Sequence, residues 1–266
     1  SYTYNPASKP HAVRTAYGKT YSYDNCGNMI QRGVQQLRYN PENQLKSIDL
    51  DNDGTNDIEF GYGSNGERLW RKKNGLVTNV WIGGVFEYKD EDGDGTGKVL
   101  CHINSEVGKV CTFEPDPVAG SVFYYYHSDH LGSSSVLTDR NGDIVKHYGY
   151  SAFGDERWDD SDYSANMAPS NRYTGQVLDE DTGLYYYNAR YYDPLLGRFI
   201  QADTVLPSLS SQGLNRYAYA YNASLKEFVG SLWFRQGSQV VIEGQFQRFE
   251  SLEAVCFSGG HFRFGI

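Results

Sequence analysis

Apolar and polar positions along this chain fall into short alternating runs, each broken by a cluster of turn-forming residues. The segments "YSYDNCGNM" (21–29), "LRYNPENQL" (37–45) and "FGYGSNGERL" (60–69) share one order. Each has an aromatic or apolar residue, a tyrosine, a turn of Asp, Asn, Gly, Ser or Pro, and then an apolar residue. Alternation over so few positions, bounded by such clusters, predicts short β-strands. "FYYYHSDHLGSSSVL" (123–137) and "HYGYSAFGDER" (147–157) repeat the theme. Tyr23, Tyr39 and Tyr62 are 16 and 23 residues apart, and Tyr126 and Tyr150 are 24 apart. That spacing holds two short strands and two turns. One such hairpin cannot bury its own apolar face, so neighbours must stack on it. In "VLTDRNGDIVKHYGY", Asn141-Gly142 separates an apolar run from a β-branched one and predicts a hairpin through a type I′ turn.

Composition strengthens this reading. The chain has 266 residues, with 23 tyrosines and 29 glycines against 2 methionines and 8 prolines. Tyrosine pairs an apolar ring with a polar tip and suits half-buried strand faces, while glycine suits turns. The expected class is all-β. Residues 89–120 and 156–170 are polar, turn-rich interruptions, the first an inserted hairpin or loop and the second an acidic loop. The net charge of −9 argues against nucleic acid as a main partner. No apolar run approaches the roughly 18 residues of a membrane helix. The chain opens on SYTYNP, without methionine, and reads as a piece of something longer.

Candidate chemistry is sparse. In "DLDNDGTNDIEF", Asp49, Asp51, Asp53 and Asp57 occupy positions 1, 3, 5 and 9 of a DxDxDGxxD loop, with Gly54 at position 6. A hard cation such as calcium wants oxygen ligands on a sharply turning loop, so these four are candidate calcium ligands. The alternative is a solvated acidic turn. "DEDGDGTGK" (90–98) fits less well, because Lys98 stands where the fourth acid would be. "YYYHSDHLGSSSVLTD" (124–139) gathers histidines and aspartates, but it lacks the three or four convergent ligands of a zinc site and has no GxSxG nucleophile elbow. It reads as a turn held by polar caps. Cys101 and Cys111 flank "HINSEVGKV" and are either bridged across a hairpin base or unpaired strand cysteines.

The run "NRYTGQVLDEDTGLYYYNARYYDPLLGRFIQAD" (171–203), with "YYYHSDHLGSSSVLTDRNGDIVKHYGYSAFGD" before it, resembles the repeat-associated core of the Rhs/YD-repeat family, related to toxin-complex C subunits and more distantly to teneurins. The resemblance covers roughly residues 15–225. It implies a spiralling antiparallel β-sheet of stacked hairpins, part of a hollow shell, with YD-type repeats over 1–120, the core over 121–225 and a variable or aberrant tail over 226–266. It also implies a structural role, as the shell segment of a polymorphic toxin that encloses or presents a C-terminal effector. The implied partners are the rest of the shell, the effector or an immunity protein, and a delivery apparatus, with a secreted or bacterial cell-surface location. In such cores an aspartate pair can cleave the chain just after the core. Asp203 matches the first acid and Arg198 the arginine beside it. No aspartate follows Asp203, and Glu227 lacks the expected context, so the cleavage machinery is expected to be incomplete. The two competing readings are an aspartate-dependent self-processing domain and a calcium-stabilised adhesive or carbohydrate-binding module. The tail, which contains Cys256 and His261, reads as a capping hairpin or as foreign sequence.

Overall fold

The computed structural model describes residues 2–4, 9–90, 93–106, 108–118, 120–159, 170–205 and 214–220. The chain divides into two units, 1–225 and 226–266, and all described residues lie in the first. The expectations for Glu227, Cys256 and His261 therefore fall outside the described residues, as does most of the acidic loop at 156–170.

Sixteen strands, from Thr3–Tyr4 to Glu156–Asp159, form one sheet in which each strand pairs antiparallel with the next in sequence. Among the described residues the only helical element is the short 3-10 turn Tyr173–Gly175. The fold is all-β, as the alternation implies.

One turn recurs along the sheet. Asp24, Asn40, Gly63, Asp129, Asp139 and Ser151 each donate their backbone N–H to the carbonyl of the fourth residue on, and the N–H of the third residue returns to their own carbonyl. That third residue is Gly27, Asn43, Gly66, Gly132, Gly142 or Gly154, with φ from +68° to +91°. Only glycine or asparagine holds this left-handed backbone cheaply. Most of the leading side chains add a cap: Asp24, Asn40, Asp129, Asp139 and Ser151 each accept the N–H four residues on. The strand register slips by one residue beside these turns, as at Arg38/Tyr39 and Gly61/Tyr62, the signature of a bulge after a tight turn.

This corrects the turn type at Asn141-Gly142. The hairpin forms, but only Gly142 has positive φ, whereas a type I′ turn needs it at both central residues. Asp139 caps the wider loop by accepting from Asn141 and Asp143. The two-residue Asn-Gly hairpin is instead at Asn74-Gly75, with φ of +49° and +80°.

The tyrosine before the turn links one hairpin to the one before it. The hydroxyls of Tyr39, Tyr62 and Tyr150 donate to the carbonyls of Met29, Leu45 and Ser134 at 3.0, 2.7 and 2.8 Å. Each ring is thereby packed in the layer while its polar tip is satisfied.

The interruption at 89–120 contains strands Lys98–Ser105 and Gly108–Glu114, which continue the sheet in sequence order. Cys111 lies opposite Ile103 and Cys101 opposite Phe113, and both thiols are free. Of the two cysteine readings, the unpaired one holds.

A second antiparallel sheet follows, of Val177–Asp179, Leu184–Tyr187, Arg190–Asp193 and Arg198–Phe199. Its Leu184, and Ile200 just after its last strand, are fully buried in one apolar cluster with Met29, Leu45, Ile48 and Ile58 of the large sheet. This face-to-face burial is the main apolar core of the described residues.

Candidate functional site

The seam between the two sheets holds most of the buried charge. Two strands of the large sheet, Met29–Arg32 and Arg68–Lys73, carry the cations that meet the small sheet. Arg32 bonds Asp193 at 2.7 Å and the Thr182 carbonyl at 2.8 Å. Arg68 bonds Asp179 at 2.5 Å, with its guanidinium 4.1 Å from the Trp81 ring centre and 4.4 Å from that of Tyr186. Arg71 and Lys73 both reach Asp181. Burial opposes the charge on Arg68, but Asp179 and Tyr191 outweigh it and hold its pKa above the usual arginine value. At Asp181 burial acts to raise the pKa, while hydrogen bonds from Lys73 and Arg71 bring it below the ordinary carboxylate value. Pairing of this kind is what lets ions remain charged away from water.

The same core segment grips residues far along the large sheet. Tyr173, Tyr185 and Tyr192 donate to the carbonyls of Ala152, Gly154 and Phe153 at 3.0, 3.1 and 2.8 Å. Gly154 is required on two counts: its φ is +86°, and a Cβ there would lie 2.4 Å from the Tyr173 ring. Arg172, whose guanidinium lies 4.3 Å from the Tyr148 ring centre, bonds Glu156 and Glu180 at 3.1 Å each. The run 170–203 is thus clamped to early strands by arginines and to the late turn at 151–155 by tyrosines.

The acidic loop brings three of its four candidates together. One carboxylate oxygen from each of Asp49, Asp51 and Asp57 lies within 4.8 Å of the others, and among the described residues no other trio of His, Cys, Asp or Glu does so. Asp49 is wholly buried and accepts the N–H groups of Asn52 and Gly54 at 2.7 and 3.0 Å. Asp57 accepts from Leu50 at 2.7 Å. Asp53 turns away and caps Thr55, accepting from its N–H and its hydroxyl at 2.7 Å. The second acidic loop has the same backbone wiring. Asp90 accepts from Gly93 and Gly95, and Asp94 caps Thr96, at the same offsets as in the first. The ninth position differs, and Lys98 leaves the loop to pair with Glu114 at 3.1 Å. Asp92 lies outside the described residues.

Asp203 and Arg198 do not pair with each other. Asp203 bonds Arg190 at 2.8 Å and accepts from the Val205 N–H at 3.0 Å. Arg198 points to the first strand, donating to the Tyr4 hydroxyl at 3.0 Å and the His11 carbonyl at 3.3 Å. Among the described residues no carboxylate is hydrogen-bonded to Asp203, whereas proton sharing by an acid pair needs one. In the 124–139 stretch, Asp129 caps its turn and His127 meets the Thr138 hydroxyl at 3.0 Å.

The seam arginines escaped sequence reasoning. Their partners are more than 100 residues away. The available signal was Arg68 and Arg71 inside a strand, "RLWRKK", where charge is unexpected on an inward position.

Residues 106–225 match the family model described as teneurin YD-shell, and this chain belongs to the Rhs/YD-repeat family, as a shell segment. It is 32% identical over 229 residues to salivary gland surface protein 1 of Aedes aegypti, covering 79% of this chain and 6% of that protein. It is 27% identical over 206 residues to the tRNA3(Ser)-specific nuclease WapA of Bacillus spizizenii, covering 76% of this chain and 8% of that one. The Tc holotoxin pore of Photorhabdus luminescens superposes with a TM-score of 0.61 at 19% identity, over 76% of this chain and 10% of that one, a likeness of fold. The chain thus spans under a tenth of the two curated relatives.

Proposed function

We propose that this segment closes one end of a YD-repeat shell in a larger polymorphic toxin, and that the shell encloses or presents an effector carried C-terminal to it. The observation that carries this reading is the seam. One segment takes arginines from early strands and offers tyrosine hydroxyls to the late turn at 151–155, so it bridges distant parts of the sheet as a closing segment must. The small share of each relative that the chain covers, and the nuclease name of one of them, support a multi-part protein with separate chemistry. The partners are the rest of the shell, the effector or its immunity protein and a delivery apparatus, with secretion or display at a bacterial surface. Limited proteolysis of the full-length parent tests this. The C-terminal portion is expected to resist protease while the shell is intact, and to be cut in step with unfolding when Arg68→Met breaks the seam. Equal cleavage of both proteins at the same rate contradicts enclosure.

A second role attaches to the first acidic loop. The convergence of Asp49, Asp51 and Asp57 supports a structural calcium ion there, since a divalent cation offsets three carboxylates at close range. Such an ion stabilises the hairpin and performs no catalysis. Isothermal titration with calcium, on the chain and on Asp57→Asn, tests it. Heat uptake identical in both rules the site out.

A further inference from the structure

We propose that Lys109 and Asn171 join through an intramolecular isopeptide bond, with Glu87 as the proton carrier. Lys109 lies on strand Gly108–Glu114 of the large sheet, and Asn171 lies just before the 3-10 turn of the core, 62 residues away. The Lys109 Nζ is 2.6 Å from the Asn171 Oδ1. The amide carbon lies one C=O bond, about 1.2 Å, beyond that oxygen. The Asn171 amide is fixed, because its Nδ2 donates to the Gly175 carbonyl at 2.7 Å. An amine and an amide held so close in a folded sheet gain the advantage of an intramolecular reaction.

Near this pair, close enough to act on the Lys109 charge but outside direct contact, stands a fixed acid. Glu87 is 2% exposed and keeps its carboxylate through Asn79 and Ser170, each 3.0 Å from Oε1, and His102, 3.3 Å from Oε2. Ser170 is the residue next to Asn171, so the carboxylate is tied directly to the segment that carries the amide. His102 in turn meets Thr112, which meets the Tyr126 hydroxyl, at 2.8 and 3.0 Å. The Tyr126 ring centre is 5.9 Å from Lys109 Nζ, so an aromatic wall flanks the amine. Burial brings the Lys109 pKa down to about 8 against the opposing pull of Glu87, which leaves a share of neutral, nucleophilic amine near neutral pH. Burial acts to raise the pKa of Glu87, yet the His102 bond and nearby cations bring it below the ordinary value, so it is present as a base.

The step balances without oxidant or cofactor. The lone pair of neutral Nζ adds to Cγ of Asn171. Glu87 is bonded to neither nitrogen, its contacts being Asn79, Ser170 and His102, so the proton passes from Nζ to the Glu87 carboxylate and on to Nδ2 by way of water. The Cγ–Nδ2 bond breaks and Nδ2 leaves as ammonia. One amine and one primary amide become one secondary amide and one ammonia. The bond would fasten the core to a late strand of the sheet, where the seam arginines fasten it to early ones.

Intact-mass measurement of the purified, folded chain, followed by tandem mass spectrometry of its tryptic digest, tests the proposal. The expected result is a chain lighter than its sequence mass by one ammonia, with a branched peptide joining Lys109 to Asn171. Lys109→Arg, which keeps the charge and the donor, and Asn171→Ala should both show full mass. Glu87→Gln, close in shape to the native residue, should show at least a tenfold slower mass loss after refolding. A folded wild-type chain of full mass with an unmodified Lys109 overturns the proposal. So does an ammonia loss without the branched peptide, which would be cyclisation of an asparagine. Unchanged cross-linking in Glu87→Gln overturns the role of Glu87.

Discussion

Asp179 in the seam and Asp49 in the acidic loop are both buried aspartates, but they are held in opposite ways. Asp179 receives Arg68 from a strand 111 residues away, in a slot walled by Trp81 and Tyr186. Asp49 receives the N–H groups of Asn52 and Gly54 from its own loop, and its nearest cation is the half-exposed Arg38 at 3.7 Å. The first carboxylate depends on the whole fold being assembled, while the second depends on six consecutive residues. A seam built on remote partners reports tertiary closure. A loop built on its own backbone can be transplanted, and it keeps carboxylate oxygens in reserve for an ion.

The largest consequence of the seam should appear at high pH. Burial pushes the phenols of Tyr62, Tyr185, Tyr191 and Tyr192 above the ordinary value of 10.0. A folded pKa above the unfolded one gives stability that is complete below pH 10 and is lost as the pH rises, because only the unfolded chain ionises. Tyrosinate absorbance and loss of the β circular dichroism signal should therefore rise together above pH 10, as one cooperative unfolding. Full titration near pH 10 with the sheet intact would refute this.

Next in size is the pair itself. Arg68→Met leaves Asp179 only the long contact to Arg71 at 3.9 Å and should lower the unfolding free energy by about 3 kcal/mol, the low end for removing one member of a buried pair. Adding Asp179→Leu should restore most of it, since the desolvated charge is then gone as well. Denaturant unfolding of both variants separates the pair from its surroundings. A loss under about 1 kcal/mol for the single variant would mean that the seam relies on its apolar contacts alone.

The same division decides what could be read from sequence. Strand and turn placement were legible because tyrosine, the capping Asp or Asn and the left-handed glycine all lie within a few residues. The error at Asn141-Gly142 has a local cause: Asp139, two residues earlier, accepts N–H groups across a wider loop and outcompetes the two-residue turn. Asn74-Gly75 has no such competitor between Lys73 and Leu76 and takes the tight form. Asp49, Asp51 and Asp57 were legible from spacing, and Asp53 was lost to the group because Thr55, two positions on, offers it both an N–H and a hydroxyl. The arginine clamp was not legible, since nothing local distinguishes Arg68 from a solvated strand charge. The resemblance to repeat-associated cores gave the architecture but not these contacts.

On the loop side the expected effects are smaller. Millimolar calcium should raise the stability of the chain by about 1 kcal/mol, in the range of weak extracellular sites, and Asp57→Asn should abolish the increment while leaving the seam untouched. A rise of the same size in Asp57→Asn would assign the effect to some other acid.

The smallest and sharpest test exploits the second loop, which has the wiring of the first and differs at its ninth position. Lys98→Asp should supply the missing carboxylate, at the cost of the surface pair with Glu114, which at 3.1 Å and half-exposed contributes well under about 1 kcal/mol. Without calcium the variant should be slightly less stable, because a further negative charge joins Asp90 and Asp94. With calcium the order should reverse by a few tenths of a kcal/mol, and titration should show one more binding event than the parent chain. That outcome would mean the backbone scaffold of both loops is a cation cradle and the ninth residue is its switch. No added binding would mean that the shared wiring serves the turn alone, and that Asp49 is buried for the same reason as Asp90: to hold the N–H groups of a tight loop that no strand can pair.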